Sequence, residues 1–231
     1  MKNKQDQQNK YDRVVFDVDT QNDFMQSKGA LSVVMADKLI PKTKELVRWA
    51  FENNIPVIGS VDRHFGTKEY ADVELELARN GGPFPNHCMD GSPGQEKVNK
   101  NAFDAMYFVE ARADPAEVAK VVEAYKSDPR KVGLFFEKQT YDVANNPFFK
   151  KAIKYLGVKE SVVFGVATDY CVKAAVNALT QDELGVKVYV IKDAIAAVTP
   201  EGEKEAIEEM KLKGAEFVES NKFDFVNWRK I

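Results

Sequence analysis

At 231 residues, with 44% hydrophobic and 30% charged residues, the chain has the length and composition of one globular α/β domain with a substantial core. A net charge of -3, with charges of both signs interspersed, argues against a face for nucleic acid. No apolar run approaches the roughly 20 residues of a membrane-spanning helix, and two cysteines far apart do not make a disulfide framework.

Residues 1–10 are polar, lack the apolar centre of a signal peptide and read as a disordered tail, which leaves the cytoplasm as the default compartment. Val14 to Val18 has the length of a buried strand and leads into Phe16-Asp-Val-Asp19-Thr-Gln-Asn-Asp23-Phe24. Strand alternation puts Asp17 and Asp19 on one face. Aspartates at a strand end are commonly turn formers or caps, so the pattern alone does not choose a catalytic one. A helical pattern over Asp37 to Glu52 precedes a second strand, Ile55 to Val61, and Asp62-Arg-His64. The stretch 66–131 contains Gly81-Gly-Pro83, Phe84-Pro-Asn-His87-Cys88, Gly91-Ser-Pro-Gly94 and a charged helix over Pro115 to Lys126. It has too little apolar periodicity for its own core and reads as a loop-rich insertion over the site, inside a single domain spanning 11–231.

A weaker strand, Val132 to Phe136, runs towards Lys138, and a helix follows over Pro147 to Tyr155. Ser161 to Val166 is the next strand; Gly165-Val-Ala-Thr-Asp-Tyr-Cys171 then opens a helix over Asp169 to Leu179. Strand Val186 to Ile191, helix Glu201 to Lys213 and a weak strand Ala215 to Val218 complete the order, while Phe148-Phe149 and Phe223 to Trp228 read as packing residues. The alternation predicts a three-layer α/β/α domain with a mostly parallel sheet of roughly six strands. Ligands of such sheets bind beyond the carboxyl ends of the strands. That rule sends Asp19, Asp62, His64, Lys138 and Cys171 to one rim.

A cysteine in the first turn of a helix can be stabilised as a thiolate by the helix dipole, and the same free N–H groups can hold an oxyanion. Taken alone, Cys171 reads equally well as a small buried hydrophobe. Lys138 by itself reads as a solvated charge; beside a carboxylate and a thiol it would stabilise both anions. Asp62 and His64, with His87 further along, offer one carboxylate and two imidazoles, a set suited to zinc, iron or manganese with positions left open. Both histidines of the chain fall in these two loops, so the cysteine's base must be another residue type.

With these residues in order, the chain resembles the nicotinamidases of the isochorismatase-like cysteine hydrolase family from about Val14 to Val218. Asp19-Thr-Gln-Asn-Asp-Phe24 with Gly29-Ala-Leu-Ser-Val33 is similar to the family's first-strand signature. Phe84-Pro-Asn-His87-Cys88 with Gly91-Ser-Pro-Gly94-Gln-Glu96 is similar to its metal loop, and Gly165 to Cys171 to its nucleophile corner. The resemblance implies the isochorismatase-like fold, with Asp19 as general base in preference to Asp17 and Asp23, Lys138 as its partner and Cys171 as nucleophile. It also implies a cis peptide at Val166-Ala167 and an oxyanion hole from the N–H groups of Ala167 and Cys171. One divalent metal, zinc first and iron or manganese as alternatives, would rest on Asp62, His64 and His87. A fourth acidic ligand occurs in some members, with Glu69, Asp72 and Glu74 as candidates here.

The chain departs from the family in carrying Phe84 where tryptophan is frequent and Tyr170 where histidine is common, and in a longer segment between Asn101 and Lys131. Phe24, Phe84 and Tyr141 would still form an aromatic slot for a flat ring. The implied activity is conversion of nicotinamide to nicotinate and ammonia through a cysteine thioester, in NAD salvage, with a small molecule as partner and self-association left open. The alternatives are another small amide or an enol ether as substrate, or a nonenzymatic metal- or nucleotide-binding module. Absence of G-x-G-x-x-G after the first strand, and the intact Asp19, Lys138 and Cys171 set, weigh against the module.

Overall fold

The computed structural model describes residues 10–128 and 130–228. The tail expected over residues 1–10 lies, Lys10 apart, outside the described residues. Seven parallel strands form one sheet in the order β3-β4-β2-β1-β5-β6-β7. They are β1 (Arg13–Val18), β2 (Val57–Asp62), β3 (Ala105–Val109), β4 (Val132–Lys138), β5 (Glu160–Val166), β6 (Lys187–Ala196) and β7 (Glu216–Val218). The four central strands are the apolar, β-branched runs that a sheet covered on both faces requires.

Helices cover both faces. On one side, α3 (Pro115–Ser127), α4 (Phe149–Leu156), α5 (Lys173–Thr180) and α6 (Pro200–Leu212) pack against Val14, Phe16 and Val18 of β1 and their neighbours. On the other, α2 (Ala36–Glu52) and α7 (Phe225–Trp228) cover Val15, Val57, Val162 and Phe164. A short helix, α1 (Asn22–Met25), caps the end of β1. Local chemistry sets several boundaries. Asp114 and Thr199 cap α3 and α6 by accepting from Ala116 and Gly202, each with a proline at the first helical turn. Gly157 ends α4 in the left-handed conformation at φ 74°. Among the described residues no helix is long and apolar enough to cross a membrane.

The sheet has one strand more than the rough count of six. The extra one is β3, inside the stretch read as an insertion. It is a half-buried edge strand with mixed residues, so neither a continuous apolar run nor clean alternation marks it. Residues 66–104 form a succession of short turns around the rim, whereas β3 adds an edge strand to the sheet and α3 packs on it, with Val118, Val122 and Tyr125 in the main core. The helix expected from Asp169 begins differently as well. Thr168–Val172 is a single π-helical turn, closed by Val172 N–H donating to Ala167 C=O at 3.0 Å, and α5 continues from it.

Candidate active site

The carboxyl ends of β1, β2, β4 and β5 bring Asp19, Asp62, Lys138 and Cys171 together, all buried. Parallel pairing aligns Asp62 with Lys138 and Val18 with Gly165. At the centre is the Lys138 ammonium. It stands 2.9 Å from Asp19 Oδ2, 3.1 Å from the Thr140 carbonyl and 3.6 Å from Cys171 Sγ, and it also contacts Asp62 Oδ1. Burial alone would lower the pKa of Lys138, but Asp19, Asp62 and Cys171 around it raise it well above the ordinary lysine value. It is therefore a fixed cation.

The three aspartates near β1 go to three different places. Asp17 is fully buried on the α2 side, where it accepts from Thr20 Oγ1 at 2.8 Å and Asn99 Nδ2 at 2.9 Å and pairs with Lys97 at 3.2 Å. Asp23 holds the N–H groups of Cys88 at 2.7 Å and Ala30 at 3.0 Å. Asp19 alone meets Lys138, because its φ of 45° turns the chain out of the strand. Burial raises its pKa against the pull of Lys138, and Ser60 Oγ donates to its Oδ1 at 2.8 Å.

Cys171 differs from its sequence reading in one respect. Burial, opposed by Lys138, pushes its pKa well above the ordinary thiol value, against the stabilisation expected from a helix N-terminus. The Val166-Ala167 peptide is cis, and Ala167 and Cys171 both line the adjoining cavity.

Asp62, His64 and His87 converge beside this group, with ligand atoms all within 4.8 Å of one another. His87 Nε2 lies 3.4 Å from Asp62 Oδ2 and His64 Nε2 lies 3.8 Å from it. His87 Nδ1 is 2.8 Å from the Pro85 carbonyl, an arrangement that places the proton there and leaves Nε2 free as a ligand. Both ring nitrogens of the fully buried His64 lack hydrogen-bond partners. Burying such groups unpaired is unfavourable, and a divalent cation would satisfy them together with the carboxylate. The residues fit a metal. Burial alone would raise the Asp62 pKa, but Lys138 and the two histidines hold it well below the ordinary carboxylate range, as a metal ligand requires.

Of the candidates for a fourth ligand, Glu74 comes nearest. Its carboxylate accepts from Phe65 N–H at 2.5 Å and Gly66 N–H at 2.9 Å and lies 3.8 Å from His64 Nδ1, so it braces the His64 segment. Asp72 pairs with Arg112 at 2.6 Å, and Glu69 is exposed.

A cavity of about 80 Å³ opens beside Cys171 and His87. Phe24, Phe84 and Tyr141 line it, as does Tyr170, whose ring centroid lies 5.7 Å from that of Phe84 and 6.0 Å from that of Tyr141. Tyr170, Glu76, Leu31 to Val33 and Val198 were not picked out from the sequence as wall residues. They come from four separate segments and share no local pattern. Glu76 also accepts from Tyr141 N–H at 2.7 Å, fixing that loop.

The Isochorismatase domain profile matches residues 14–222. The chain is 28% identical over 221 residues to the nicotinamidase of Escherichia coli, covering 88% of this chain and 92% of that protein. It is 24% identical over 209 residues to the nicotinamidase/pyrazinamidase of Mycobacterium tuberculosis, covering 89% and 98%. Among solved structures, the pyrazinamidase of Pyrococcus horikoshii in complex with zinc aligns at a TM-score of 0.66 and 29% identity, covering 90% of this chain and 99% of that one.

Proposed function

Since the chain belongs to the isochorismatase family, we propose that it hydrolyses nicotinamide to nicotinate and ammonia through a thioester on Cys171, as a step of NAD salvage. The carrying observation is the single Lys138 ammonium that joins Asp19, Asp62 and Cys171 beside a small aromatic cavity walled by His87. The cavity suits one small flat ring. Asp62, His64 and His87 would hold a divalent metal, zinc first, and the zinc complex of the P. horikoshii pyrazinamidase supports that choice. When bound, the ion supplies a Lewis-acid contact for the pyridine nitrogen.

Phe24, Phe84 and Tyr141 hold the ring so that its carboxamide carbon faces Cys171 Sγ. Asp19, paired with Lys138, takes the thiol proton as sulfur attacks, and Lys138 offsets the charge on whichever group carries it. The N–H groups of Ala167 and Cys171 receive the oxyanion. Asp19 returns its proton to the amide nitrogen, the C–N bond breaks and ammonia leaves. Asp19 then takes a proton from the water that attacks the thioester carbon, the C–S bond breaks, and Asp19 returns that proton to the Cys171 sulfur. The acid loses its own proton to solvent as nicotinate. The test is release of nicotinate and ammonia from nicotinamide by purified, metal-replete protein. Equal amounts of both products are expected; no turnover with Cys171 reduced and metal bound would overturn the substrate assignment.

A further inference from the structure

The strand β1 stops pairing with β2 at Val18 and Ser60, because the chain turns away at Asp19. That would leave the backbone of Asp62, two residues further along β2, without a strand neighbour on this side. The side chain of Gln21 occupies the gap. Its Oε1 accepts from Asp62 N–H at 2.7 Å, and its Nε2 donates to Asp62 C=O at 2.7 Å and to Gln95 C=O at 2.8 Å. The amide thus imitates the donor and acceptor of a strand residue, with both of its N–H donors in use. Gln21 is fully buried, and its own backbone bridges Lys97 in antiparallel fashion. One side chain therefore joins the segment of Asp19, the strand of Asp62 and the loop that follows His87.

We propose that Gln21 is the positioning residue of the metal site, fixing the Asp62 backbone so that its carboxylate faces His64, His87 and Lys138 together. The assignment rests on Asp62 being a metal ligand. The alternative, a purely structural buried amide, would lower stability and leave metal affinity unchanged. The two effects separate because Asn99 forms a comparable buried bond, to Asp17 at 2.9 Å, away from Asp62.

The test is zinc affinity by chelator competition, together with Tm, in wild type, Gln21→Met, Gln21→Glu and the control Asn99→Leu. Gln21→Met keeps the shape and loses all three bonds. Gln21→Glu keeps the acceptor for Asp62 N–H and sets a carboxyl oxygen against two carbonyls, a second variant that reads the same loss if the methionine variant fails to fold. A 10- to 100-fold loss of zinc affinity in the Gln21 variants is expected, the range for a lost outer partner of a ligand, with Asn99→Leu retaining wild-type affinity. Equal affinity in all four proteins, or an equal loss in Asn99→Leu, overturns the proposal. Zinc affinity is read without substrate. Unchanged affinity in the Gln21 variants of a protein that does turn over nicotinamide therefore sinks this inference alone, and zinc loss in a protein that does not sinks only the substrate reading.

Discussion

Replacing Lys138 by methionine removes the central charge of the site while keeping most of the side-chain volume. The ammonium lies 2.9 Å from Asp19 Oδ2 and 3.6 Å from Cys171 Sγ. At an effective dielectric near 20, a unit charge 3.6 Å from a thiolate contributes about 5 kcal/mol. Without it, Asp19, whose pKa burial already raises, takes up a proton. That relieves part of the repulsion and also removes the base. Taking about 4 kcal/mol as the net loss, kcat/KM for nicotinamide should fall roughly 10³-fold. Ammonia release from metal-replete protein measures this, and the rate of Cys171 alkylation by iodoacetamide, read by mass spectrometry, reports the thiolate directly. Removing one partner of a buried ion pair also costs about 3–5 kcal/mol of stability, roughly 10 °C in Tm for a domain of this size. Turnover within tenfold of wild type, with unchanged alkylation, would refute the role given to Lys138.

Cys171→Ala should abolish turnover and retain bound zinc, measured by metal analysis after dialysis; residual turnover at the wild-type rate would exclude the thioester route. His87→Ala should lose zinc and raise KM for nicotinamide, because it removes one of the three side chains proposed to hold the metal and a cavity wall; full zinc occupancy in the variant would contradict the proposed site. A base works only when deprotonated, so kcat/KM should rise with pH through the pKa of Asp19 and level off above it. Because burial raises that pKa above its ordinary 3.8, the acid limb should have its midpoint above that value, and a midpoint at or below it would remove Asp19 as base. Gly165→Ala should be destabilised by roughly 3 kcal/mol or more in urea unfolding. Its φ is +127° and a Cβ there would lie 1.9 Å from the Val18 carbonyl, so a near-neutral result would contradict the close approach of β1 and β5.

The central strands, most of the helices and the convergence of Asp19, Asp62, His64, Lys138 and Cys171 were legible from the sequence. Buried parallel strands are continuous apolar runs, and their carboxyl ends are where ligand-binding residues gather. Long periodic segments such as Asp37 to Glu52 emerged with boundaries shifted by a residue or so. The edge strand β3 was not legible, since its half-buried mixed sequence carries neither strand pattern. Strand alternation could not separate Asp17 from Asp19, because the deciding event is a left-handed backbone turn at Asp19 that ends the alternation.

The sequence by itself determined the fold class, the rim on which the chemistry lies and the residue types available to it, because these follow from periodicity and from side-chain chemistry. Only the tertiary structure decided which neighbours each group meets. It buried Cys171 beside the Lys138 ammonium and gave Glu74 to backbone N–H groups. It also assembled the cavity wall from scattered loops and placed Gln21 where β1 leaves β2 unpaired. Burial and hydrogen-bond satisfaction depend on chain segments distant in sequence, so no local pattern encodes them.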